Sequence, residues 1–155
     1  FVLENIPFPF EKFESKPYIV AGNPYPKINA QDKPVVILDL PSTLDFESFD
    51  LGKPFNQFSR EYIYMYWQSK HKQHCLNGAV AFFPPERLRN AMLTQNITEG
   101  NALEELIKEN GIDYIIYHPE LELPSETSYL TFLKKSPLLE LVNDTETFKL
   151  FKVKR

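Results

Sequence analysis

The side chains best suited to chemistry lie in "HKQHCLNGAVAFFPP", residues 71–85. His71, His74 and Cys75 stand close together, followed by Asn77-Gly78. Such residues serve zinc binding, thiol catalysis or the shaping of a turn. Zinc takes three or four ligands, usually from spaced pairs. The only other histidine is His118 and there is no second cysteine. A zinc site would therefore need His71, His74, Cys75 and His118 all to converge, so no metal and no cofactor is expected. A thiol nucleophile needs a cationic neighbour or a helix N-terminus, and a base within reach. His74 adjoins Cys75 and points to the opposite face of an extended chain, which leaves His71 or His118 as the base. The simpler reading of Cys75 is a small buried apolar side chain. Asn77-Gly78 reads as a turn, since both residues tolerate positive φ.

Other candidates are scattered. Asp39 sits near the carboxyl end of an apolar run, "ILDLP", where open α/β sheets bind ligands. It would either contact a ligand there or hydrogen-bond the following loop. Asp113 begins the second such run and would lie at the opposite sheet edge. Asp45, Glu47 and Asp50 read as solvated. Tyr64 points away from the Tyr62/Tyr66 stripe of its helix and so stands free for stacking. With five glycines in the chain, neither G-x-G-x-x-G nor a phosphate loop occurs. The candidate binding residues are Asp39, Tyr64, His71, Asn77 and His118, and no residue is assigned as catalytic.

The elements that must position them follow from patterning. "VVILDLP", residues 35–41, and "IDYIIYH", residues 112–118, are continuous apolar runs and predict inner parallel strands. "SREYIYMYWQSKH" predicts a helix capped by Ser59, with Tyr62, Met65 and Tyr66 on one face. "HCLNGAVAFF" is weakly strand-like. "PPERLRNAML" starts a helix at its prolines, with Leu88, Ala91 and Met92 on one face. "NALEELIKENG" predicts a helix with an Asn101/Glu104 capping box, a buried Leu103/Leu106/Ile107 stripe and a stop at Gly111. "SETSYLTFLKKS" turns Tyr129, Phe132 and Leu133 inward. "PLLELVNDTETFKLFKV" reads as an antiparallel hairpin.

The expected fold is α/β: a mixed, mostly parallel open sheet with helices on its faces and a C-terminal hairpin. Residues 35–155 form the domain. Residues 1–34, rich in proline, read as an arm packed on it through Phe8, Phe10 and Phe13, with "YIVAG" as an edge strand. Residues 42–58 read as an irregular loop.

The 155 residues suit one domain, and 43% hydrophobic content argues against disorder. A net charge of −4 without a basic stripe argues against nucleic acid as a partner. No apolar run approaches the roughly 20 residues that span a bilayer. The chain opens on "FVLENIPFPF" and reads as a fragment, with a membrane segment expected upstream. Asn96 and Asn143 head Asn-x-Thr triplets that matter only to a chain meeting a glycosylation machinery.

The middle of the chain resembles a known pattern. "VVILDLP", "YIYMYWQSKHKQHCLNGAVAFFPPERLRNAM" and "ALEELIKENGIDYIIYHPE" occur in the order found in one family's soluble tails. The family comprises polytopic bacterial or archaeal membrane proteins of the glycosyltransferase type that use lipid-phosphate sugars. Ser69 and His71 match its Ser/Thr-x-His step, Asn77-Gly78 its turn, Phe83-Pro84-Pro85 its helix start, and Gly111 through His118 its last strand. The resemblance covers residues 35–120. Lys72 through Cys75 and "GAVAFF" differ from the family pattern. The resemblance implies an upstream membrane region as partner, a catalytic carboxylate in that region and not in this tail, and a place on the extracytoplasmic face. The tail would then assist recognition of a glycan or lipid-linked sugar acceptor, or stabilise the membrane helices. The alternatives are a free-standing carbohydrate-binding module using Asp39, Tyr64 and His71, and a small Cys/His hydrolase.

Overall fold

The computed structural model describes Tyr25, Ile28 and residues 33–42, 63–65, 67–68, 73–77, 85–122 and 128–155. The first apolar run forms β1, Val36–Leu40, and the second forms β3, Tyr114–Tyr117. They pair in parallel, with Asp39 opposite Ile116. Between them in sequence lie the two-residue strand β2, His74–Cys75, and the helices α1, Pro85–Gln95, and α2, Ala102–Asn110. After β3 come a 3-10 turn, Pro119–Leu121, the helix α3, Ser128–Lys135, and the hairpin β4, Leu139–Asp144, with β5, Lys149–Val153.

The sheet order is β2-β1-β3-β5-β4. The first three strands run parallel, and β5 and β4 run antiparallel to their neighbours. This is the expected α/β architecture. The two-residue period of a strand sends alternate side chains to opposite faces. Leu38, Leu40, Ile115, Tyr117, Phe151 and Val153 enter a core with Leu103 and Leu106 of α2 and Tyr129 and Leu133 of α3. Ile37, Tyr114, Ile116 and Leu150 face the other way, onto Tyr25, Ile28 and Trp67. Both faces of β1 and β3 are therefore dry, which explains their unbroken apolar sequence.

Local expectations held for several elements. Gly111 ends α2 at φ 64, where its N–H meets the Ile107 carbonyl. Asp113 lies at the opposite end of the sheet from Asp39, accepting from the Val36 N–H at 2.9 Å. One expectation is corrected. Asn101 forms no side-chain cap on α2 and instead donates to Glu105 at 2.8 Å; at φ −109, ψ 15 it lacks the extended backbone a capping box uses. A further feature was not foreseen: Leu88 and Met92 on the shared face of α1 are 40% and 64% exposed. The helix is held by other residues: Arg89 pairs with Glu109 at 2.6 Å, and Asn90 with Asn110 at 2.9 Å, both on α2. Phe8, Phe10, Phe13, "YIVAG", Ser59, Tyr62, Tyr66 and most of the 42–58 loop lie outside the described residues. Among the described residues, no helix is long and apolar enough to cross a membrane.

Candidate functional site

From β1 the chain passes to β2 on one flank, then crosses to β3 on the other. The carboxyl ends of β1 and β3 thus meet at a topological switch point, the place where open α/β sheets leave a crevice. Register decides which side chains gather there. Cys75 is paired with Ile37, so it shares the face that carries Asp39 two residues on. His118 follows β3 with the same parity as Ile116 and reaches the same face.

Asp39 is the centre of this cluster. It is 0% exposed. Its Oδ1 accepts from the Tyr25 hydroxyl at 3.0 Å and lies 3.0 Å from His118 Nε2. Its Oδ2 accepts from Cys75 Sγ at 3.3 Å. Asn77 engages the Asp39 main chain in both directions: Oδ1 accepts the Asp39 N–H at 2.6 Å, and Nδ2 donates to the Asp39 carbonyl at 2.8 Å. A buried carboxylate is tolerable only when so compensated.

Tyr64 completes the wall. Its hydroxyl donates to the Pro41 carbonyl at 2.8 Å, just beyond the cis Leu40–Pro41 peptide. Its ring lies 5.4 Å from the His118 ring at 31°. His118 Nδ1 is 3.9 Å from a Glu120 carboxylate oxygen, and the His118 N–H continues the parallel ladder to the Leu40 carbonyl. Tyr25 stacks obliquely on Trp67 at 5.7 Å and 37°. Burial first, and then the Asp39 carboxylate, push the Tyr25 phenol well above its ordinary 10.0.

The structure thus brings together Asp39, Tyr64, Asn77 and His118 of the candidates named from sequence; His71 lies outside the described residues. Tyr64 is corrected. Expected free for a ligand, it is 0% exposed. The helical residues turn Tyr64 and Trp67 toward the sheet, where a hydroxyl finds the Pro41 carbonyl, and leave Met65 outward. Asn77 does more than shape a turn, since its amide clamps a neighbouring strand. Asp39 binds side chains through its carboxylate instead of capping the following loop.

Tyr25 was missed by sequence reasoning. It comes from a proline-rich segment, and only its place between two prolines, "NPYPK", marks it.

The thiol chemistry has the wrong neighbour. Cys75 has a carboxylate beside it, which opposes thiolate formation, and that carboxylate stands between Cys75 and His118. His74 is exposed on the other face of β2. Among the described residues, no group of three or more His, Cys, Asp or Glu side chains could hold a metal ion. A separate cleft of about 350 Å³ lies where α2 begins and α3 ends, lined by Asn101, Glu104, Phe132 and Lys135, and shares no residue with the cluster.

Fold and cluster together define an α/β protein with a mixed open sheet and a buried, hydrogen-bonded polar cluster at its switch point. Compared with family models, with curated proteins and with solved structures, the chain finds no match.

Proposed function

We propose that this chain is a non-catalytic extracytoplasmic domain of a membrane-bound glycosyltransferase-like protein. In that role it assists recognition of a glycan or lipid-linked acceptor, or stabilises the membrane region. The ordered motifs from "VVILDLP" to "IDYIIYH" supply the family side of this reading. The observation that carries its non-catalytic side is the state of Asp39. Both carboxylate oxygens and both main-chain polar groups are already engaged by Tyr25, His118, Cys75 and Asn77. A general base or nucleophile needs a lone pair aimed at substrate, and both oxygens of this carboxylate are turned to groups of the fold.

The test is the coding sequence upstream of Phe1, together with the membrane fraction of cells expressing the whole gene. A multi-helix hydrophobic region and a membrane-bound product are expected. A gene product without such a region overturns the reading.

A second reading, a ligand-binding module, is favoured by the location of the cluster. It sits at the switch point, where α/β sheets bind small molecules.

A further inference from the structure

The two Asn-x-Thr triplets have the form of acceptors for an N-linked glycan, and the fold presents them differently. Asn96-Ile97-Thr98 lies in the turn that follows α1. Asn96 is exposed and Thr98 is half-buried, while Ile97 between them is 0% exposed. Ile97 pins the turn to the core, and the Asn96 amide stays at the surface. The Asn96 N–H and Nδ2 both donate to the Met92 carbonyl, at 3.1 and 2.9 Å. A side-chain amide nitrogen carries two hydrogens. Nδ2 can therefore exchange one for a sugar and keep the other on Met92.

Asn143-Asp144-Thr145 closes β4 and enters the hairpin turn. Asn143 is half-buried and paired with Leu150 on β5. Asp144 is held by Lys134 at 3.1 Å and Lys149 at 2.5 Å. The Thr145 hydroxyl donates to the Phe148 carbonyl at 2.8 Å and accepts the Phe148 N–H at 3.1 Å. Each residue of this triplet is thus committed to the hairpin. A surface feature favours the first triplet as well. Asn96 stands at i+4 from Met92 and i+8 from Leu88, the spacing that shares a helix face. A sugar on Asn96 therefore stands beside the exposed apolar side chains of α1.

We propose that Asn96 is an N-glycosylation site of the folded chain and that Asn143 is not. The donor is an oligosaccharide linked to a lipid through pyrophosphate, and an oligosaccharyltransferase carries out the transfer. The bond from the anomeric carbon to the pyrophosphate oxygen breaks, and a bond from that carbon to Asn96 Nδ2 forms. The lipid pyrophosphate leaves with the bonding pair, and one amide proton passes to solvent. In the cell the modification rests on the extracytoplasmic reading, which gives access to such a donor; the acceptor geometry does not.

The experiment incubates the folded full chain with a lipid-pyrophosphate-linked oligosaccharide and a purified oligosaccharyltransferase chosen because it accepts both triplets as short peptides. Glycopeptide mass spectrometry gives the rate at each asparagine. Modification at Asn96 is expected to be at least about tenfold faster than at Asn143, because the hairpin must open before the second triplet is reached. Asn96→Gln should abolish the added mass, and Asn143→Gln should leave it unchanged. An Asn96 that stays unmodified, or an Asn143 that reacts as fast, overturns the proposal. Donor and enzyme are supplied, so these outcomes do not depend on where the chain resides. A gene product without a membrane region overturns the extracytoplasmic reading and leaves a modified Asn96 standing as an acceptor.

Discussion

Asn77 holds Asp39 by the main chain, accepting its N–H at 2.6 Å and donating to its carbonyl at 2.8 Å. A side-chain amide here takes the part of a peptide group. It extends the parallel pairing of β2 and β1 past the last strand residue, Cys75, where β2 itself has ended. The shortest strand in the sheet is thereby tied to the strand that carries the cluster.

Asn77→Ala should therefore cost more than an ordinary polar truncation. It orphans a buried donor and a buried acceptor on Asp39, for roughly 2–4 kcal/mol. Urea unfolding gives the total. Hydrogen exchange should show the loss concentrated at Leu76, whose N–H pairs with the Ile37 carbonyl. A cost under about 0.5 kcal/mol, the range of neutral surface changes, contradicts the clamp.

Tyr25 links stability to alkaline pH. Its folded pKa is raised above 10.0 by burial and by Asp39. The folded chain then keeps a proton that the unfolded chain releases above that pH. The stabilisation is complete below pH 10 and is lost as pH climbs toward the folded value. Wild type should lose up to about 1.4 kcal/mol per pH unit more than Tyr25→Phe across this window. Denaturant midpoints between pH 9 and 11 decide it, and parallel curves would clear Tyr25 of any part.

Cys75 should be a slow thiol. Its hydrogen goes to Asp39 at 3.3 Å, which puts a carboxylate beside the thiol. Reaction with a disulfide reagent should proceed more slowly than in the urea-unfolded chain. Asp39→Asn should speed it by removing the negative neighbour. A folded-state rate above the unfolded one returns the hydrolase reading to consideration.

Tyr64→Phe keeps the ring on His118 and removes the bond to Pro41. The Pro41 carbonyl is left short of a partner, at a cost of about 1–2 kcal/mol. Tyr64→Leu loses the ring contact too and should cost more. Equal midpoints for the two variants would make the aromatic contact irrelevant.

Much of this fold is written in short-range pattern. β1 and β3 are legible because strands buried on both faces leave no polar position, and α2 because its stripe ends at a glycine that must adopt positive φ. Asp39 was found because it sits near the carboxyl end of an apolar run, a position with a topological meaning, and His118 as the one histidine outside residues 71–75. Their contact spans 79 residues, and no local rule joins them. Tyr64 was misplaced because its helix is aromatic on more than one side. There periodicity cannot choose the buried face, and the hydrogen-bond acceptor at Pro41 does. For Leu88 and Met92 periodicity gave a shared face but not its direction; Leu93 packs on the core, and Arg89 and Asn90 reach α2, contacts that an apolar template does not weigh. Tyr25 lay beyond reach because proline-rich segments carry no period at all.

The hairpin has a last consequence. The pairing of β4 with β5 slips between Leu141 and Asn143, which leaves Val142 unmatched on the outermost strand. Val142 and Leu141 are among the exposed apolar residues, and a straight border bearing them would invite another polypeptide to add on. The slip bends that border and breaks the even spacing of its amides and carbonyls. One surplus residue thus keeps neighbouring molecules from growing into a shared ribbon.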